Sequence, residues 1–208
     1  MTEHVILVHG IWMRGIALLP LARHLRTADF SVEPFEYASV AGDPAEIVGN
    51  LTARIRAARS ARVHLLGHSL GGLLALRALT GANDLPPGRA VCLGSPLRGS
   101  AAARGFASFP GGRWMMGRSL DVLATGLDAW DGRRAVGVIA GRVPVGFGFL
   151  VGALAGSNDG TVAVAETELP GISDHRVVAA SHTGLLFSSE VADLCVAFLR
   201  TGRFPPAR

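Results

Sequence analysis

Short apolar strings rich in valine and isoleucine alternate along the chain with longer stretches whose leucines and isoleucines recur every three or four residues. That is the pattern of parallel strands joined by helical crossovers, so the expected class is α/β. The spacing predicts strands near residues 5–8, 31–37, 63–66, 90–93, 135–140 and 176–180. Helices are expected over 16–26, 44–60, 73–79 and 188–200. Residues 97–130 form a longer insertion, helical in its second half from 118 to 127, and are a candidate cap. A second candidate lid is the uncharged stretch 143–155, VPVGFGFLVGALA. At 13 residues and with three glycines it is too short to span a bilayer. Nothing in the pattern suggests a linker or repeat, and residues 1–208 are expected to form one domain.

Composition narrows the picture. The chain has 208 residues, 49% of them hydrophobic and 17% charged, enough to build a core without disulfides or a structural metal. Cys92 and Cys195 lie in apolar runs with no metal-ligand spacing, and they are expected to be buried free thiols. All 20 basic residues are arginines, and they are scattered, with only Arg133 and Arg134 adjacent. No basic stripe can be drawn, so nucleic acid is not an expected partner. The amino terminus has neither the charged region nor the apolar core of a signal peptide, which favours the cytoplasm.

The chemistry is carried by Gly67-His68-Ser69-Leu70-Gly71, a G-x-S-x-G string that follows an apolar strand and opens a helix. On so tight a turn neighbours crowd the serine from both sides, and only glycine leaves room. The hydroxyl then projects above the carboxyl edge of the sheet, at the positive end of the following helix. Serine needs a base, and chain order in this arrangement is serine, acid, histidine. His182 follows the last strand and His175 precedes it, on opposite edges about 20 Å apart at ~3.3 Å per residue. Active-site groups gather at the carboxyl edge, so His182 is the expected base and His175 a surface-loop residue. The same test selects Asp159, in Asn158-Asp159-Gly160, as the acid that orients His182, although that string is also a turn signal. Glu166 is the substitute. His9-Gly10-Ile11-Trp12, after the first strand, supplies a second backbone donor. The N–H groups of Leu70 and Ile11, with Trp12 as the fallback, form the expected oxyanion hole. His9 is expected to position its loop and His68 to pack beside the nucleophile, whereas His4, His24 and His64 carry no expected chemistry.

VHGIW, GHSLGG, SNDGTV and SHTGLL, in that order and on those elements, resemble the α/β-hydrolase superfamily, in particular its small bacterial lipases and esterases. The resemblance covers nearly the whole chain. It implies a compact, mostly parallel sheet of about six strands with helices on both faces, since the chain begins at what would be the family's third strand. It also implies a serine-hydrolase mechanism with Ser69 as nucleophile, and no cofactor or metal. The expected partner is a small-molecule or lipid ester, with transient contact to a lipid surface. Phe106, Phe109, Trp114, Met115, Met116, Phe147, Phe149 and Leu150 lie in segments expected to cross above the nucleophile, where they would line an apolar acyl pocket or serve as ordinary core. An acyltransferase or thioesterase using the same serine is the alternative, followed by a non-catalytic binding protein on this scaffold.

Overall fold

In a computed structural model, residues 2–146 and 154–206 are described. Six strands, β1 (His4–Val8), β2 (Ser31–Phe35), β3 (Val63–His68), β4 (Ala90–Leu93), β5 (Val136–Gly141) and β6 (Asp174–Val178), form one sheet in the order β2-β1-β3-β4-β5-β6. Every pairing is parallel. Alternation within the strands builds two cores. Ile6, Val8 and Leu65 face one way, against Ile47, Leu51 and Ile55 of α2 (Pro44–Ala57) and the leucines of α3 (Leu70–Leu79). Val5, Leu7 and Leu66 face the other way, against Leu21 and Leu25 of α1 (Leu19–Thr27) and a carboxyl-terminal helix (Ser189–Thr201) with Val191, Cys195 and Phe198. The expected layering, helices on both faces of a parallel sheet, is what the chain adopts.

Chain order sets where a site can form. From β1 the chain steps outward to β2, then crosses back so that β3, β4, β5 and β6 add on the other side. The direction of winding reverses between β1 and β3, and a crevice opens at their carboxyl ends. Those ends carry His9-Gly10 and Ser69.

Three expectations need correction. The helix expected from residue 16 begins as a 3-10 turn, Gly15–Leu18, and becomes α-helical only at Leu19. Pro20 is the reason, because its ring would clash with a carbonyl four residues back and is tolerated only in a first turn. The insertion is helical in its first half too, with α4 (Ala101–Ala107) and α5 (Gly112–Met116) preceding α6 (Ser119–Thr125). Ser100 starts α4 by accepting from the Ala103 N–H at 3.0 Å. Finally, β6 begins at Asp174, so His175 is a half-buried strand residue and not part of a surface loop. Its Nε2 lies 2.7 Å from Thr167 Oγ1 in α7 (Val164–Thr167). An edge strand presents one side to other elements and solvent, which is why its polar start carries no apolar alternation. The carboxyl-terminal helix is α8.

Cys92 and Cys195 are buried and free. Burial pushes both thiols up, Cys92 to about 12, so neither supplies a thiolate at neutral pH.

Candidate active site

Ser69 sits between β3 and α3 with φ 56° and ψ −122°, a conformation that costs a serine on the order of 1–3 kcal/mol. The glycines around it leave no room for any side chain. A Cβ on Gly67 would lie 2.4 Å from the Gly72 nitrogen, and one on Gly71 would lie 2.1 Å from the Val8 carbonyl oxygen. The start of α3 is thereby pressed against both β1 and β3. The serine side chain makes no capping bond to α3, so its hydroxyl is free to face the crevice.

Asp159 and His182 meet at the carboxyl edge of the sheet. His182 Nδ1 donates to Asp159 Oδ2 at 2.8 Å, with the carboxylate 1% exposed and the imidazole 12%. The other carboxylate oxygen, Oδ1, accepts from the N–H groups of Thr161 at 2.9 Å and Val162 at 2.7 Å. Asp159 is therefore both a turn former and the imidazole's partner, one function per oxygen. Three donors satisfy a buried carboxylate that would otherwise be very costly.

The backbone of His182 is pinned as well. Its N–H donates to the Asp159 carbonyl at 2.9 Å, and its own carbonyl accepts from His68 Nε2 at 3.1 Å. The His68 and His182 rings lie 4.7 Å apart. Complete burial, with the neighbouring His182 and His9 adding to it, drops His68 to a pKa of about 3, so it stays a neutral donor. The cluster closes through Gly10, where a Cβ would sit 3.2 Å from both His68 Nδ1 and Ser69 Cβ.

The first-strand loop is held from beneath. His9 is fully buried, stacks on Tyr37 at 4.2 Å, and donates from Nδ1 to the Gly10 carbonyl at 2.9 Å. Burial lowers its pKa, which leaves it neutral, and the carbonyl acceptor fixes the Nδ1–H tautomer. Because the peptide is planar and trans, a Gly10 carbonyl turned toward His9 directs the Ile11 N–H the opposite way. The Trp12 N–H is already taken, donating to Ser39 Oγ at 3.1 Å. Glu166 does not reach His182. Its carboxylate accepts from the Ala101 and Ala163 N–H groups, tying α4 to the segment after Asp159.

Ser69 opens onto a cavity of about 320 Å³, within the usual range for small-molecule sites. Ile11, Trp12, Phe106, Met115, Met116 and Leu123 line it, and among the described residues no charged side chain does. Of the residues expected there, Phe109 and Trp114 are instead 51% and 84% exposed, on the outer side of the insertion. Phe147, Phe149 and Leu150 lie outside the described residues. A larger hollow of about 530 Å³ lies at the opposite edge of the sheet, beside His4, Glu33 and Arg54, away from these groups. Among the described residues no group of three or more His, Cys, Asp or Glu is placed to hold a metal, and no helix is long and apolar enough to cross a membrane.

Sequence reasoning missed Gly94, at the end of β4. Its φ is +52°, and a Cβ there would lie 3.0 Å from Asp159 Oδ2 and 3.1 Å from His182 Nδ1. The available signal was a glycine at the carboxyl edge of a buried strand.

No family model and no curated protein sequence matches the chain. Solved structures do. The mature lipase BlEst2 of Bacillus licheniformis superposes with a TM-score of 0.77 at 18% identity, over 97% of this chain and 92% of that one. This is the α/β-hydrolase fold. An esterase of Pyrococcus furiosus, Pf2001, matches with a TM-score of 0.68 at 18% identity, over 95% and 80%. A lipase-esterase related protein of Clostridium acetobutylicum matches at 0.64 and 14%, over 94% of each chain.

Proposed function

We propose that the protein is a serine hydrolase that cleaves carboxylic esters of apolar acyl groups through an acyl-enzyme intermediate. The observation that carries this reading is the buried Asp159–His182 pair, 2.8 Å apart, beside a serine held in strained backbone at the mouth of an apolar cavity. With Nδ1–H committed to the carboxylate, the other imidazole nitrogen is the base. It takes the proton of Ser69 as Oγ attacks the ester carbonyl. The oxyanion of the tetrahedral intermediate is held by the N–H of Leu70, in the first turn of α3, and the N–H of Ile11. The occupied Trp12 amide and the His9–Gly10 bond favour Ile11 for that role. His182 then protonates the leaving alcohol, and a water, deprotonated by the same imidazole, releases the acid from Ser69. The lipase and esterase names of the structural relatives support the same reaction class.

The test is hydrolysis of p-nitrophenyl esters by the wild type and by Ser69→Ala, with fluorophosphonate labelling in parallel. Wild type is expected to label once, at Ser69, and the variant to lose activity by more than about 10³-fold. Full activity in Ser69→Ala, or no hydrolysis of any ester by the wild type, defeats the proposal.

A further inference from the structure

Trp12 is one of three non-glycine residues with positive φ among the described residues, at 56°, and Ser69 is another. An aromatic side chain does not hold that backbone unaided, so the loop depends on its tethers. One is the Trp12 N–H on Ser39 Oγ at 3.1 Å. The other reaches across the cavity mouth, where indole Nε1 donates to the Met115 carbonyl of α5 at 2.9 Å while the ring meets Phe106 of α4 edge-on at 5.6 Å. Trp12 thus joins two parts of the site, the loop after β1 and the helices of the insertion. Its own peptide is continuous with the Ile11 amide, and its ring is bonded to the helix that walls the cavity with Met115 and Met116.

An occupant that touches α5 acts on that tether, whereas one that stays beside Ser69 does not. A ligand shifts a conformation only by the contacts it makes differently in its alternatives. Among the described residues the lining is mostly apolar and favours hydrocarbon. Its polar members are Ser69, Ser100 and Thr161, and none is charged.

We propose that Trp12 is a positioning and specificity-determining residue, through which an extended apolar acyl chain seated against Met115 and Met116 steadies the Ile11 amide. Medium-length, unbranched, uncharged acyl esters are then turned over faster than acetates, and not only bound more tightly. This inference rests on the ester-hydrolase reading of the site.

The experiment compares kcat and KM for p-nitrophenyl acetate and octanoate in the wild type and in Trp12→Phe, which keeps a ring but lacks the indole N–H. In the variant, kcat for octanoate is expected to fall at least about fivefold more than kcat for acetate, with the KM ratio changed less than twofold. Equal losses of kcat on both esters, or a change confined to KM, overturn the proposal. If Trp12→Phe does not fold, the native indole reports in its place. Trp114→Phe, at a position 84% exposed, leaves Trp12 and Trp130, and the latter is buried with its indole bonded to the Arg134 carbonyl. Labelling that protein at Ser69 with octyl and ethyl fluorophosphonates is expected to shift indole emission with the octyl group only. Equal emission from both adducts overturns the role of Trp12 alone. Failure of either probe to attach to Ser69 overturns the hydrolase reading, and this inference with it.

Discussion

Replacing Asp159 by asparagine separates the two functions its carboxylate combines. Oδ1 accepts from the Thr161 and Val162 N–H groups, so only the amide oxygen of an asparagine fits there. The amide nitrogen is left facing His182 Nδ1, where Asp159 Oδ2 now accepts at 2.8 Å. Two donors cannot meet, so the imidazole must place its proton on Nε2, and that nitrogen no longer accepts the serine's proton. Restoring the reactive tautomer opposes N–H to N–H in a buried setting and forfeits a charge-assisted bond, at a cost of about 3–5 kcal/mol. At 1.36 kcal/mol per tenfold, kcat should fall by about 10²–10⁴. The turn keeps both hydrogen bonds, so stability should fall by no more than about 1–2 kcal/mol, a few degrees in Tm for a chain of this size. Asp159→Ala strands both turn amides and should lower Tm further, at about 1–3 kcal/mol per unsatisfied group. The assay is steady-state hydrolysis of p-nitrophenyl butyrate with thermal melts of all three proteins. An Asp159→Asn enzyme that keeps more than a tenth of wild-type kcat would reduce Asp159 to a turn former and refute the orienting role.

Gly94→Ala should lower kcat by about 10- to 100-fold, because the new Cβ, near 3 Å from Asp159 Oδ2 and His182 Nδ1, must displace the pair by tenths of an ångström. The φ of +52° adds roughly 1–2 kcal/mol of instability, visible as a lowered Tm; unchanged kinetics would show that the pair tolerates the intrusion. Stability should also decline on acidification from about pH 6.5. His68 has a pKa of about 3 in the fold against an ordinary 6.5, so below pH 6.5 the unfolded chain binds a proton that the native state refuses. Stability from this group is fully present above pH 6.5 and is lost toward pH 3, at up to about 1.4 kcal/mol per pH unit. Burial lowers His9, His64 and His175 in the same direction. Urea midpoints between pH 7 and 4.5 should fall less steeply for His68→Asn than for the wild type; equal slopes would remove His68 from the account.

Legibility in the sequence tracks how local the cause is. Ile6 and Val8 against one core, Val5 and Leu7 against the other, follow from strand period alone, and the G-x-S-x-G turn carries its steric requirement in five consecutive residues. Asp159 and His182 were reachable because a parallel sheet sorts residues by which end of a strand they follow. The start of β6 was not, since an edge strand tolerates Asp174 and His175 without apolar alternation. Nor was the bond from Trp12 to the Met115 carbonyl, which spans 103 positions and involves a backbone acceptor that every residue possesses. Gly94 escaped for a related reason, because its value lies in space left for two side chains that arrive from β5 and β6.

The strain at Ser69 is sustained by what lies behind it. In α3, Leu70, Leu73, Leu74, Leu76 and Leu79 are all buried, and each buried leucine contributes roughly 1.5–3 kcal/mol. Against that sum, an elbow costing on the order of 1–3 kcal/mol is minor, and Gly67, Gly71 and Gly72 let the helix approach close enough to hold it. Trp12 has no such backing. It is 49% exposed, and its positive φ rests on two hydrogen bonds, to Ser39 and to Met115. Ser69 is fixed by core packing that no ligand can alter, whereas the loop opposite rests on buried His9 only as far as Gly10 and is held beyond Ile11 by the Trp12 bonds to Ser39 and Met115. Of the two halves of the candidate oxyanion hole, the Leu70 side is therefore built in by the fold, and the Ile11 side is the one on which the proposed effect of acyl length would act.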